Sequence, residues 1–160
     1  MRRPALLLGL LVAGLAAPVW AGLSLSTDNR SLFFGVMQLG ETKELAQFGS
    51  SHNSITCSST NNRAWYLKVQ VLQPLSAGGR MIPLEQFQWQ LVSTTGVGTL
   101  AWPYQYVPLT PSPMLVYTSG ANEASGTAVT LRFKYSLTIP ETQASGIYQT
   151  TIRFTLAELL

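Results

Sequence analysis

His52 and Cys57 are the sole histidine and the sole cysteine of the 160-residue chain. A thiolate–imidazole pair would make a nucleophile, but their odd separation puts the two side chains on opposite faces of a strand. His52 therefore reads as a surface histidine beside a turn. Cys57 reads as a small hydrophobe in the alternating run Ile55-Thr56-Cys57, either buried or paired with another chain. One histidine excludes a multi-histidine metal site, and one thiol excludes an intramolecular disulfide. The seven carboxylates, Asp28, Glu41, Glu44, Glu85, Glu123, Glu141 and Glu158, are scattered. Only Glu41 and Glu44 lie close in sequence, and they read as solvated charges beside a turn. A glycosidase-type dyad would have to be assembled from distant positions. No Gly-x-Ser-x-Gly elbow, phosphate loop or dinucleotide fingerprint is present. No catalytic residue, metal ligand or cofactor is expected, and the chain does not read as an enzyme.

Trp102, Tyr104 and Tyr106 alternate and are expected to project to one side of a strand. Such a row stacks sugar rings or aromatic partners, or else packs between sheets. Nucleic acid is disfavoured as a partner. Charged residues make up 11% of the chain, and without Arg2 and Arg3 the basic excess falls from +3 to +1. Aromatic platforms for single strands need a basic groove.

Those two arginines open a segment of a different kind. Arg2-Arg3, the apolar run Ala5 to Ala17 and the small residues at Val19-Trp20-Ala21 read as a secretory signal peptide over 1–21. The run is shorter than the roughly 20 apolar residues that cross a bilayer core of about 30 Å, so no membrane anchor is expected. The mature domain is then 22–160, exported to the periplasm, cell surface or medium.

The remainder is rich in Thr, Ser and Gln and shows the two-residue period of half-buried strands. Val129, Leu131, Phe133, Tyr135, Leu137 and Ile139 alternate with polar residues, as do Tyr148, Thr150, Ile152, Phe154 and Leu156. Trp65, Leu67, Val69 and Val71 form a third apolar face. Phe87 to Leu91 alternates too, although Leu84, Phe87 and Leu91 also fit a helical stripe. Shorter candidates are Ser31 to Val36, Lys43 to Phe48, Ser54 to Cys57, Leu100 to Tyr106 and Met114 to Thr118. Turn signals separate these runs at Asp28-Asn29, Asn61-Asn62, Gly78-Gly79, Gly96-Val97-Gly98 and Gly120 to Gly126. About 7–9 short strands without a long helix predict an all-β sandwich or small barrel. An outer-membrane barrel is disfavoured, because continuous strands of about ten residues are not seen throughout.

The run Ile139-Pro140-Glu141-Thr142-Gln143-Ala144-Ser145-Gly146-Ile147-Tyr148 resembles the "I-P-x-x-Q-x-x-G-x-Y" turn of spore coat protein U-type and archaic chaperone–usher pilins. Phe34-Gly35, Gly40 and Cys57 look like the "F-G … G … C" beginning of those domains, and Arg80-Met81 matches a pair they often carry. WxL-type surface domains are similar in the same short motifs. The resemblance implies an immunoglobulin-like antiparallel sandwich, with Gly146 at positive φ and Tyr148 starting an inward-facing strand. It also implies assembly by strand addition with like subunits or another surface partner, with a periplasmic chaperone as an intermediate partner. On that pattern Leu23 and Leu25 are the strand-donor candidates, and Tyr148, Ile152 and Phe154 border the acceptor groove. Such pilins usually pair a second Cys with the first and carry a long N-terminal arm. Here Cys57 stands alone, and only Gly22 to Ser31 precede the Phe-Gly motif, a segment that could equally be the domain's own first strand. The expected function is an exported structural subunit of a surface assembly. A carbohydrate- or protein-binding module using Trp102, Tyr104 and Tyr106 is the alternative.

Overall fold

A computed structural model describes residues 22–29, 31–32, 34–45 and 53–159. The expected leader at 1–21 and His52 lie outside the described residues, as do Phe33 and the latter part of the Lys43 to Phe48 run. Among the described residues twelve strands are present: β1 Leu23–Thr27, β2 Thr42–Glu44, β3 Asn53–Ser59, β4 Tyr66–Val71, β5 Leu75–Ala77, β6 Arg80–Ile82, β7 Phe87–Thr94, β8 Thr99–Leu100, β9 Val107–Pro108, β10 Met114–Thr118, β11 Val129–Thr138 and β12 Ile152–Ala157. Every strand pairing is antiparallel. The first sheet runs β1-β3-β11-β7-β9 and the second β12-β4-β10-β8, while β5 and β6 form a separate hairpin. The two larger sheets pack as a sandwich, as the alternation predicts. The expected strand at Phe87 to Leu91 is present within β7, while other expected features differ. Leu84–Gln86 is a single 3-10 turn leading into β7, so the apparent helical stripe ends there. No strand forms among the described residues of Ser31 to Val36.

β11 is the longest strand and the template of the first sheet. Its inward residues Val129, Leu131, Phe133, Tyr135 and Leu137 are all buried. β7 pairs along one side of β11. On the other side β3 takes the first half and β2 the second, with Leu137 opposite Lys43. Phe133 joins the sheets, its ring centroid 5.1 Å from Phe154 on β12 and 5.7 Å from Trp89 on β7. In the second sheet Trp65, Leu67, Val69 and Val71 are all buried, and Trp65 stacks 5.5 Å from Tyr117.

A bulge in β10 lets the register shift between Leu115 and Tyr117. Strict alternation would send one of Val116 and Tyr117 to solvent, yet both are buried, because the extra residue turns Tyr117 inward. There Tyr117 meets Glu123, a carboxylate only 2% exposed on the 3-10 turn Ala121–Ser125. The Tyr117 hydroxyl donates to Glu123 at 2.7 and 2.8 Å, and the backbone N–H groups of Val97 and Gly120 donate at 2.7 and 2.6 Å. The same hydroxyl accepts the Gly98 N–H at 2.7 Å. Burial, reinforced by the carboxylate, pushes the Tyr117 pKa up. This lock explains the Gly96-Val97-Gly98 turn: a Cβ on Gly96 would lie 2.0 Å from the Tyr117 hydroxyl, and one on Gly98 2.1 Å from the Thr118 carbonyl oxygen.

Replacing Glu123 by Ala removes the acceptor of one buried donor, the Tyr117 hydroxyl, and of two part-buried ones, the Val97 and Gly120 N–H groups. The Glu123→Ala variant is expected to lose about 3–5 kcal/mol of stability in urea melts, with Glu123→Gln losing less. A midpoint within about 0.5 kcal/mol of wild type, the range of ordinary surface substitutions, would show that the lock is energetically idle.

Candidate functional site

The sandwich has two lateral sides. On one, the chain crosses from β8 to β9 and closes the opening. On the other, the edge strands β1 and β12 lie near each other across the gap between the sheets. This second side carries the donor and acceptor candidates.

β1 forms because Leu23-Ser24-Leu25-Ser26-Thr27 alternates and because β3 offers a ladder. Leu23 pairs with Ser59, Leu25 with Cys57 and Thr27 with Ile55. Hydrogen bonds from Asp28 N to Ser54 O and from Thr60 N to Gly22 O set the phase of that ladder. Leu25 and Cys57 are therefore a non-hydrogen-bonded pair, the kind whose side chains approach most closely. Leu23 and Leu25 face the core side yet remain 37% exposed, since β1 has a neighbour on one flank only. Across the gap, Ile152, Phe154 and Leu156 on β12 are half-buried against the core, while Arg153 and Thr155 face solvent. The arm thus sits on its own domain, as a first strand.

Tyr148 does not begin a strand. β12 starts at Ile152, and the preceding stretch makes only one isolated bridge, Gln149 with Ser76. The Tyr148 hydroxyl turns back to donate to the Ala144 carbonyl at 2.7 Å and accepts from the Gln143 side chain at 2.6 Å, closing the turn on itself. Gly146 is not at positive φ either. It is small because the turn leans on the β5–β6 hairpin, where its Cβ would lie 3.0 Å from that of Ala77. Arg80 ties the same two loops by donating to the Ser145 carbonyl at 3.0 Å.

The expected aromatic row is also corrected. Strand structure ends at Leu100, and 101–105 is a turning crossover between the sheets. Tyr104 has φ +56, which no strand residue adopts. Its carbonyl is held by the Gln90 side chain, and the Trp102 indole N–H donates to the Leu115 carbonyl at 3.0 Å. Trp102 and Tyr104 are exposed at 38% and 57%. Tyr106 instead lies under Lys134, whose ammonium is 4.9 Å from the ring centroid and 3.4 Å from Glu44. The Tyr106 hydroxyl, with help from Lys134 and against partial burial, holds the Glu44 carboxyl below its ordinary range. The three rings therefore do not form one face.

The carboxylates are dispersed in space as in sequence, and among the described residues no three His, Cys, Asp or Glu side chains gather where they could hold a metal ion. Glu41 accepts the Gln38 N–H at 2.6 Å, and Glu158 accepts from Asn61 with Arg63 3.9 Å away. Asp28 accepts the Ser54 N–H at 2.7 Å. Slight burial pushes the Asp28 carboxyl up, but these hydrogen bonds outweigh it and hold it below the usual range. Glu123 is the residue that sequence reasoning missed. Its only local signal is the Gly120 N–H three residues earlier, a helix-start spacing without a helix behind it.

Cys57 is fully buried, and burial pushes its thiol up to about 12. The fold favours the neutral thiol, so this contribution to stability is complete below the unfolded value near 9 and is lost as pH rises toward about 12. At pH 8 the thiolate fraction is about a thousandfold below that of a free cysteine. Labelling by an aromatic disulfide is expected to be slower by at least that factor in the native protein than in urea. Equal rates in the two conditions would show that the thiol is not sealed.

No protein-family model matches the chain, and no curated protein matches it. Among solved structures, a family 123 glycoside hydrolase from Clostridium perfringens is similar over 87% of this chain, with 12% identity and a TM-score of 0.45. The chain spans 25% of the length of that enzyme. A likeness this slight assigns neither activity nor family to the chain.

Proposed function

We propose that the chain is an exported structural subunit of a pilus-like or other cell-surface assembly, joined to like copies by β-strand complementation. The observation that carries this reading is the state of β1. It is an uncharged, proline-free edge strand whose two leucines face the core and stay 37% exposed. Edge strands are usually blunted by charge, proline or a bulge, because a bare edge templates pairing with another chain. β1 makes contacts that an identical segment from a neighbour would make equally well, so exchange changes the connectivity without changing the ladder. A periplasmic chaperone would cover the same edge before assembly. The leader-like 1–21 segment supports export. The reading assigns the chain a building role and no catalysis.

Cys57 supplies the test. Leu25→Cys places a second thiol opposite it in a non-hydrogen-bonded pair, where Cα atoms lie about 4.5 Å apart and a disulfide can close. Oxidised at high protein concentration, the variant is expected to give a covalent series of dimers and larger species on non-reducing gels. A cross-link confined to single chains at every concentration would overturn strand exchange.

The exposed Trp102 and Tyr104 favour a second reading, a binding module presented on the crossover. Changing both to Ala is then expected to abolish retention on a glycan array with the melting curve unchanged. Binding that survives the double substitution would remove this reading.

A further inference from the structure

The two ends of β1 are held by different means. At its C-terminal end stands Asn53, only 5% exposed. The Asn53 amide donates to the Thr27 hydroxyl at 2.8 Å and to the Asn29 carbonyl at 2.6 Å, and its oxygen accepts the Tyr135 hydroxyl at 3.3 Å. Thr27 itself donates to the Asn29 carbonyl at 2.9 Å. Asp28 adds two bonds to Ser54, one through each of its carboxylate and its N–H. This network reaches from the first strand to the fully buried Tyr135 on the central strand. Among the described residues, the N-terminal end has nothing comparable. Gly22 to Ser26 is held by the backbone ladder, two half-exposed leucines and one exposed bond from Gly22 N to the Thr60 hydroxyl.

From this asymmetry we infer that Asn53 is a latch that fixes the hinge of the first strand at Thr27, leaving Gly22–Ser26 as the part that opens. Peeling as far as Ser26 breaks none of the side-chain bonds of that network, and the two leucines it frees are already 37% exposed. Peeling one residue further withdraws the Thr27 hydroxyl from the buried Asn53 amide, and peeling on through Asn29 withdraws its second acceptor, leaving that amide unpaired inside the protein, which is the costly case. The purpose of the opening rests on the strand-exchange reading, and the latch gives that reading a geometry. With the leader-like segment 1–21 removed, an arm hinged at Thr27 spans at most about 17 Å. Its acceptor is therefore the β3 edge of a second copy pressed side to side against the β1–β12 face. There its Leu25 would lie opposite the neighbour's Cys57.

Backbone amide exchange of the full chain, resolved by residue, tests the latch without requiring assembly. The register makes Ser24 and Ser26 the ladder donors of the arm and Asp28 the donor beyond the hinge. In wild type, Ser24 and Ser26 are expected to exchange at least about tenfold faster than Asp28, since local opening stops where the buried network begins. Asn53→Ala is expected to erase that step by speeding Asp28 at least about tenfold. Thr27→Val, which removes one partner of the amide and keeps the strand, is expected to do the same if Asn53→Ala does not fold. Val116→Ala, a core truncation in the other sheet, controls for general loss of stability and is expected to keep the step. One common rate for all three amides in wild type would overturn the latch, as would equal acceleration of every amide in the Asn53 and Val116 variants. The two proposals fail separately. A persistent step without a covalent series keeps the latch and removes exchange; a series without a step does the reverse.

Discussion

The uninterrupted two-residue period of β11 is the constraint on which the other elements hang. Its five inward side chains are buried together, and its two flanks supply the ladders for β7, β3 and β2. β1 then depends on β3, so the arm is two pairings removed from the centre. Phe133 gives the same strand its hold on the second sheet through Phe154. A sheet built outward from one strand in this way is expected to weaken toward its edges, where fewer buried contacts hold the ladder. The segment proposed to exchange lies at the outer end of the sheet.

The elements legible in the sequence are those whose side chains alone decide them. β4 and β11 appear where alternation places them, because each has one face that must be covered. Where the backbone is decided by a distant partner, alternation misleads. Trp102 to Tyr106 has a strand's pattern, but Pro103 cannot donate to a ladder and Gln90 captures the Tyr104 carbonyl, so the chain turns. Tyr148 to Thr151 has the right period too, yet the Tyr148 hydroxyl folds back on Ala144 before pairing begins. In each case a hydrogen bond that no neighbouring residue announces overrides a local preference.

The candidate site shows the same division. Leu23 and Leu25 are visible as an alternating pair in the sequence, and the side of the domain they occupy follows once β3 is placed. Asn53 and Glu123 are not visible, because their roles come from partners far along the chain: Tyr135 for one, Val97 for the other. The two polar residues solve similar problems at opposite parts of the molecule. Each sits in the interior with its bonds supplied and ties a short irregular segment to a strand. In a domain without a disulfide, such ties do the work of holding loops against the body.

The Gly96-Val97-Gly98 turn shows what such a tie means for variation. Val97 is 80% exposed, its N–H is bound by Glu123, and neither flanking glycine has room for a single added carbon. The backbone there is immobilised while the side chain stands free. Position 97 is therefore a mount on which shape, charge or bulk can change from one homologue to another at little structural penalty, whereas its neighbours tolerate no change at all.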